Sequence, residues 1–217
     1  MHFFSRLGIY AFLLAWLVAM GALSAQAASS EDMLFRLKSV NPAERISAAL
    51  QMGDVGTMEH IPPLAALLAD DNTSVRNAAY RSLWQIWMRS GDSEIDALME
   101  RGVVLMNLGQ LDAAIEVFGE MIREKPDFAE GWNKRATVLF MAKRYRESIA
   151  DCDKTLELNP YHFGALSGLG MNYVGLDDLD GALNAFKRTL EILPHSKSAA
   201  RYVEIIERTL AEKRKRI

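Results

Sequence analysis

Three prolines at equal intervals, Pro126, Pro160 and Pro194, divide the second half of the chain into units of the same length. Each proline ends a stretch of helical spacing, because proline lacks a backbone N–H and cannot continue a helix interior. A repeat of about 34 residues restricts the fold to a stack of similar small units, each of which buries its apolar face against its neighbours.

The units 95–128, 129–162 and 163–196 share one internal pattern. Positions 4, 8 and 11 of each unit, and again positions 20, 24 and 27, lie three or four residues apart and therefore on one face of an α-helix. Positions 8 and 20 are small throughout, being Gly102, Ala136 and Gly170, and Ala114, Ser148 and Ala182. Each unit is therefore predicted to be a pair of antiparallel helices that approach closely at the small residues.

This pattern resembles the tetratricopeptide repeat (TPR), a helix–turn–helix unit of about 34 residues. The resemblance implies an all-α fold, a right-handed α–α superhelix or solenoid of helix–turn–helix repeats. It also implies a surface that binds a protein or peptide partner and has no enzymatic chemistry of its own.

A second, shorter period precedes the first, over residues 34–90. One constant shift along the sequence aligns Leu37 with Leu68, Asn41 with Asn72, Arg45 with Arg76, and Ala48 with Ala79. These residues are again spaced for helices, so the first half is predicted to be helical as well.

The second copy resembles a short HEAT repeat of the type found in phycobilisome lyase relatives. In that family a proline in the first helix, an aspartate at the turn and an arginine early in the second helix recur, and Pro62, Asp70 and Arg76 match them. The resemblance implies that Asp and Arg of neighbouring repeats lie side by side. The first copy has Glu31 and Ser39 in place of the proline and the aspartate, so it is either a full repeat or a degenerate cap.

The predicted organisation is HEAT-like repeats over 28–92, three TPR units over 93–195, and a capping helix over 196–217. The joint is Ser90–Ser93, with Ser93 as the expected N-cap, and the two arrays are expected to stack as one continuous solenoid. The C-terminal helix ends in a basic tail, residues 213–216, which is either solvated or in weak contact with a membrane surface.

Residues 1–27 have the features of a signal peptide. A short segment containing Arg6 is followed by about 17 apolar residues and then by small residues at Ala25 and Ala27. Cleavage near Ala27 would make the protein periplasmic or secreted. The alternative is an uncleaved membrane anchor, since this length is the lower limit for a span.

Composition argues against several function classes. The chain has 25 basic and 28 acidic side chains, and without residues 1–27 its net charge is about −4, which does not favour nucleic-acid binding. The single cysteine, Cys152, excludes an intramolecular disulfide and occupies a core position, so it is predicted to be a buried hydrophobe. His162 and His195 are expected at equivalent solvent-exposed turns. Neither a catalytic constellation nor ligand spacing for a metal or cofactor is present, so we expect no enzyme activity and no cofactor.

The candidate binding surface is the concave groove, which in TPR arrays is lined by the first helix of each unit. The groove residues predicted here are Met99, Val103, Met106, Asn133, Phe140, Met141 and Met171. Flexible thioethers suit varied apolar partners. An equally weighted alternative is that a neighbouring helix or a second protomer covers this stripe permanently.

Some TPR domains grip a C-terminal carboxylate with lysine, asparagine and arginine at five fixed positions. This chain has Met99, Val103, Lys134, Gly164 and Gly168 there, so the resemblance does not support that mode of binding. The primary hypothesis is a non-enzymatic interaction module or assembly scaffold of the cell envelope. The alternative, from the HEAT half, is a lyase-like protein or a chaperone for a small ligand.

Overall fold

The computed structural model describes residues 30–215, so the predicted signal peptide lies outside the described part of the chain. Within that range the regular secondary structure consists of α-helices and two short 3-10 turns. The α-helices are α1 (residues 30–36), α2 (Pro42–Val55), α3 (Ile61–Ala66), α4 (Thr73–Met88), α5 (Ser93–Asn107), α6 (Leu111–Glu124), α7 (Ala129–Met141), α8 (Tyr145–Leu158), α9 (Phe163–Gly175), α10 (Leu179–Ile192) and α11 (Lys197–Arg214). The all-α fold class is confirmed.

The second helix of each HEAT-like copy, α2 or α4, begins in the same way. Asn41 and Asn72 are the N-caps of α2 and α4, and each side chain accepts an amide hydrogen two residues later. The Asp70 carboxylate accepts a hydrogen bond from the Arg45 guanidinium of the first copy at 2.9 Å, as the HEAT-like pattern implies. In the first copy the Ser39 hydroxyl accepts the amide of Asn41 at 3.1 Å, as the Asp70 carboxylate accepts that of Asn72.

Three consecutive helix pairs follow: α5 with α6, α7 with α8, and α9 with α10, and α11 covers α10. The turn inside each pair has one residue at positive φ, namely Gly109 (72°), Lys143 (58°) and Asp177 (57°), which recur at the same interval as the prolines. The following amide donates to the carbonyl oxygen five residues back at 2.9–3.0 Å, a Schellman closure of the helix end. This backbone geometry repeats even where the residue is not glycine.

Within each helix pair, the size of the residue on the first helix is matched to that of the side chain it faces on the second helix. Gly102 and Gly170 on the first helices leave room for the fully buried rings of Phe118 and Phe186 on the second helices. The middle unit instead combines an alanine with Cys152, which is 2% exposed. The small residues at position 8 therefore allow close approach, as the sequence pattern predicts.

The joint between the two halves differs from the prediction in its N-cap residue. The N-cap of α5 is Asp92 and not Ser93, because the Asp92 carboxylate accepts the amide hydrogen of Glu94 at 2.9 Å. Across the joint, α4 contacts α7, and its aromatic side chains contact the residues at the start of α9. The HEAT-like half therefore lies against the turns that connect the TPR units.

Aromatic side chains of α4 form this contact. Trp87 stacks on His162 with ring centroids 4.4 Å apart, and Tyr80 stacks on Phe163 at 5.1 Å. His162 is therefore completely buried, and the expectation that it lies at a solvent-exposed turn is wrong. His195, at the next turn of the array, is exposed as expected because α4 does not reach it.

Candidate functional site

Three of the predicted groove residues lie on α5 and belong to the packing of the first unit. Met99 is 7% exposed and is part of the core formed with α6. Val103 and Met106 are half-buried and pack against the same core. The accessible apolar surface of the first unit is therefore smaller than the methionine spacing indicates.

The other four predicted residues lie on α7 and α9, where the structure has a small pocket of about 120 Å³. This groove pocket is lined by Asn133, Ala136, Thr137, Phe140, Ser148, Cys152, Gly164, Gly168, Met171 and Asn172. Asn133, Phe140 and Met171 are thus brought together, whereas Met141 lies outside the pocket and is 47% exposed.

One glycine of α9, Gly168, leaves the groove pocket open. A Cβ atom added at Gly168 would meet only the Cys152 sulfur, at an ordinary contact distance of 3.5 Å, whereas one added at Gly164 would lie 3.1 Å from the His162 ring and 3.2 Å from the Trp84 ring. Burial, together with the charges of Asp151 and Asp153, raises the pKa of the Cys152 thiol to about 12. The thiol therefore stays protonated and forms an apolar part of the lining, which fits the predicted buried hydrophobe.

Asn172 adds one polar group to the groove pocket. Its side-chain amide donates to the Ser148 hydroxyl at 2.8 Å and to the Gly168 carbonyl at 2.9 Å. Its carbonyl oxygen is buried and has no hydrogen-bond partner among the described residues. A ligand N–H group in the pocket would satisfy this oxygen once the side chain turns it toward the pocket.

The predicted groove residue Asn133 takes part in a buried polar network centred on Glu130. The carboxylate receives hydrogen bonds from Asn133 at 3.1 Å, from Lys134 at 3.0 Å and from Nε2 of His162 at 2.9 Å. The other ring nitrogen of His162 accepts the amide hydrogen of Ala165, so Nε2 is the nitrogen that donates to Glu130. Burial by itself raises the pKa of Glu130, but the hydrogen bond and charge interaction with His162, followed by those with Lys134, outweigh it and hold that pKa below its ordinary value.

A larger cavity of about 480 Å³ lies where the HEAT-like half meets the turns before α7 and α9. This joint cavity is lined by Val55, Gly56, Thr57, Met58, Ile86, Trp87, Arg89, Ser90, Gly91, Lys125, Asp127, Phe128, Ala129, Leu158 and Asn159. None of these residues was predicted as a site from the sequence. The one available signal was the spacing of Tyr80, Trp84 and Trp87, which places three aromatic rings on one face of α4.

Two kinds of feature are absent from residues 30–215. No group of three or more His, Cys, Asp or Glu side chains in this range could hold a metal ion. No helix in the same range is long and apolar enough to cross a membrane.

The fold and the groove define a helical repeat protein, and comparison with known families specifies the repeats. Residues 30–129 match the sequence model for HEAT repeats, and residues 97–163 match that for the tetratricopeptide repeat. The chain is therefore similar to both repeat families, and the HEAT match extends over α5 and α6, the first predicted TPR unit. Neither family model describes a catalytic family.

Two known proteins are similar in sequence to this chain. A TPR repeat-containing protein of Rhizobium etli is 37% identical over 130 residues, which are 59% of this chain and 63% of that protein. Heat shock protein STI1 of Saccharomyces cerevisiae is 26% identical over 116 residues, which are 52% of this chain and 20% of STI1. The chain thus spans less than two thirds of either relative.

A solved structure confirms the solenoid fold of the TPR units. The first TPR of Spaghetti (RPAP3), bound to the HSP90 peptide SRMEEVD, is 26% identical with a TM-score of 0.53. The match covers 55% of this chain and 96% of that one. The crystal structure of MamA, at 20% identity and a TM-score of 0.53, shares the fold and covers 62% of this chain.

Proposed function

We propose that this protein is a non-enzymatic module that binds a peptide segment of a partner protein in the concave TPR groove. The observation that carries the proposal is the groove pocket between α7 and α9. It is opened by Gly168, has a largely apolar lining, and is lined by Asn172, whose buried carbonyl oxygen is unpaired. It has room for one medium-sized apolar side chain whose backbone N–H reaches the asparagine.

The similar TPR domain of RPAP3, which is bound to an HSP90 peptide, supports peptide binding as the activity. The chemistry of recognition differs, however, because the five positions that grip a C-terminal carboxylate are Met99, Val103, Lys134, Gly164 and Gly168 here. Lys134, the only cation among them, is paired with the buried Glu130 carboxylate. Recognition therefore depends on an internal apolar side chain and not on a chain end.

Filling the groove pocket tests this proposal. Gly168→Leu is expected to weaken peptide binding at least tenfold, because burial of one apolar side chain contributes about 1.5–3 kcal/mol and the new leucine would occupy its place. The probes are peptides selected from a random library on the wild-type protein, with affinities measured by fluorescence anisotropy. Selected peptides should share a Leu, Met or Phe and should bind equally well with an amidated C-terminus.

The matched control is Ala113→Leu, an exposed site on α6, which places the same leucine side chain away from the pocket. Its affinity should equal that of the wild type. Peptides that require a free carboxylate, or that bind Gly168→Leu normally, would show that the groove pocket is not the binding site.

We also propose that the module acts in the cell envelope as an exported scaffold. The support is the tripartite pattern of residues 1–27, with Arg6, the apolar run and the small residues Ala25 and Ala27. The mature protein is expected to start at Ala28 and to occur in the soluble envelope fraction, which N-terminal sequencing would check. Retention of Met1 in a membrane fraction would favour the uncleaved anchor instead.

A further inference from the structure

The joint cavity has the size and lining of a small-molecule site. Its volume of about 480 Å³ falls in the range of ligand pockets. Most of the wall is apolar, with Met58, Ile86, Phe128 and Leu158 among the contributing side chains. The cavity is separate from the groove pocket, since the two share no lining residue.

Two buried hydrogen-bond donors in the lining have no acceptor. Trp87 is 3% exposed and Asn159 is 1% exposed, and neither the indole N–H nor the Asn159 amide nitrogen has a partner among the described residues. The carbonyl oxygen of Asn159 is already used, because it accepts the amide hydrogen of Tyr161 at 3.2 Å. Buried polar groups in folded proteins are nearly always paired, so two orphaned donors on residues of one cavity wall indicate a missing acceptor. Each donor atom is itself buried, so a ligand in the cavity reaches it after the side chain rotates toward the cavity.

The cations of the lining point to an acceptor with a negative charge. Lys125 donates one hydrogen bond to the Ser90 carbonyl at 2.8 Å, and its other ammonium hydrogens are not used by any carboxylate in residues 30–215. The Arg89 guanidinium binds the Gly56 carbonyl at 2.6 Å and other backbone carbonyls nearby, again without a carboxylate among the described residues. Asp127 is the one acidic side chain in the lining, and it forms no ion pair with either of them.

We propose that the joint cavity binds a small carboxylic acid with an apolar body. The carboxylate would accept hydrogen bonds from Trp87, Asn159 and Lys125, and the apolar body would occupy the space between Ile86 and Phe128. A carboxylate suits this set because it only accepts hydrogen bonds, and all three groups only have hydrogens left to donate. Both a free aliphatic acid and an acylated amino acid have this chemistry.

Isothermal titration calorimetry with three probes tests the proposal. Octanoate represents an aliphatic acid, N-acetylleucine represents an acylated amino acid, and 1-octanol has the apolar body without the charge. At least one of the two acids should bind, and the one that binds more tightly identifies the source. Octanol should bind at least tenfold more weakly than the better acid.

Two variants locate the binding. Lys125→Gln should weaken the acid at least tenfold and leave octanol unchanged, while Lys187→Gln, the same change at an exposed site on α10, should leave both unchanged. Ala129→Leu, which narrows the cavity and keeps its polar groups, should weaken all probes. Gly168→Leu should have no effect, so that failure of the peptide groove and failure of this cavity are distinguishable.

Three results would contradict the proposal that the joint cavity binds a carboxylic acid. If neither acid binds, or if octanol binds as tightly as octanoate, the cavity does not recognise a carboxylate and the proposal is overturned. The same holds if Lys125→Gln and Ala129→Leu both bind the acid like the wild type. If Lys125→Gln lowers the melting temperature, its weaker binding could come from unfolding. The Ala129→Leu titration and the comparison of acid with alcohol on the wild type then test whether the cavity binds a carboxylate.

Discussion

Replacement of His162 by alanine is expected to lower the free energy of unfolding by about 3–5 kcal/mol, because it leaves the buried Glu130 carboxylate without one of its partners. The histidine donates to Glu130 at 2.9 Å and has no exposed surface. It also stacks on Trp87 at 4.4 Å, so its loss opens a gap between α4 and the TPR units. Urea denaturation followed by circular dichroism would measure the change.

His195→Ala is the matched control, since His195 lies at the next turn of the array and is exposed. Its effect should stay within about 0.5 kcal/mol, as for other surface substitutions. Equal effects of His162→Ala and His195→Ala would contradict the structure at this joint.

The same pair gives a pH dependence with a defined sign. The pKa of Glu130 in the folded protein lies below its ordinary value of 4.5, so its stabilisation is present above pH 4.5. It is lost as the pH falls below that value and through the lowered pKa of the folded state. Below pH 4.5 the wild type should therefore lose stability more steeply than Glu130→Gln, in which position 130 does not titrate.

The repeat architecture could be predicted because it depends on local spacing. The pairing of Gly102 with Phe118, and of Gly170 with Phe186, follows from an offset along the chain that is the same in both units. The turn of each unit is equally local, since one backbone closure recurs in every unit with different side chains. These features need no knowledge of the rest of the chain.

The environment of each repeated position could not be predicted in this way. His162 and His195 have nearly the same place in their units, but α4 covers only the first of them. Met99 has a groove position, but neighbouring side chains of its own unit bury it. The joint cavity likewise depends on how the HEAT-like half is placed on α7, which residue spacing within one array does not specify.

Within α9, two glycines one half-turn apart should respond oppositely to the same substitution. Gly170→Leu is expected to cost about 3 kcal/mol of stability through overpacking. An added Cβ atom would lie 2.8 Å from Cζ of Phe186, and that ring is held by Tyr202, stacked at 4.6 Å. The ring therefore cannot withdraw without disturbing the packing of α11 on α10.

Gly168→Leu should instead leave the free energy of unfolding unchanged or raise it by up to about 1 kcal/mol, because glycine is a poor helix former and the new side chain enters the groove pocket. The nearest atom to its Cβ would be the Cys152 sulfur at 3.5 Å. Parallel thermal and urea denaturation of the two variants measures the difference, which is independent of any ligand. If Gly168→Leu proved as destabilising as Gly170→Leu, the groove pocket would be too tightly packed to admit a partner's side chain. Stability retained in Gly168→Leu, together with loss of peptide binding, would show that this opening in α9 serves recognition and not folding.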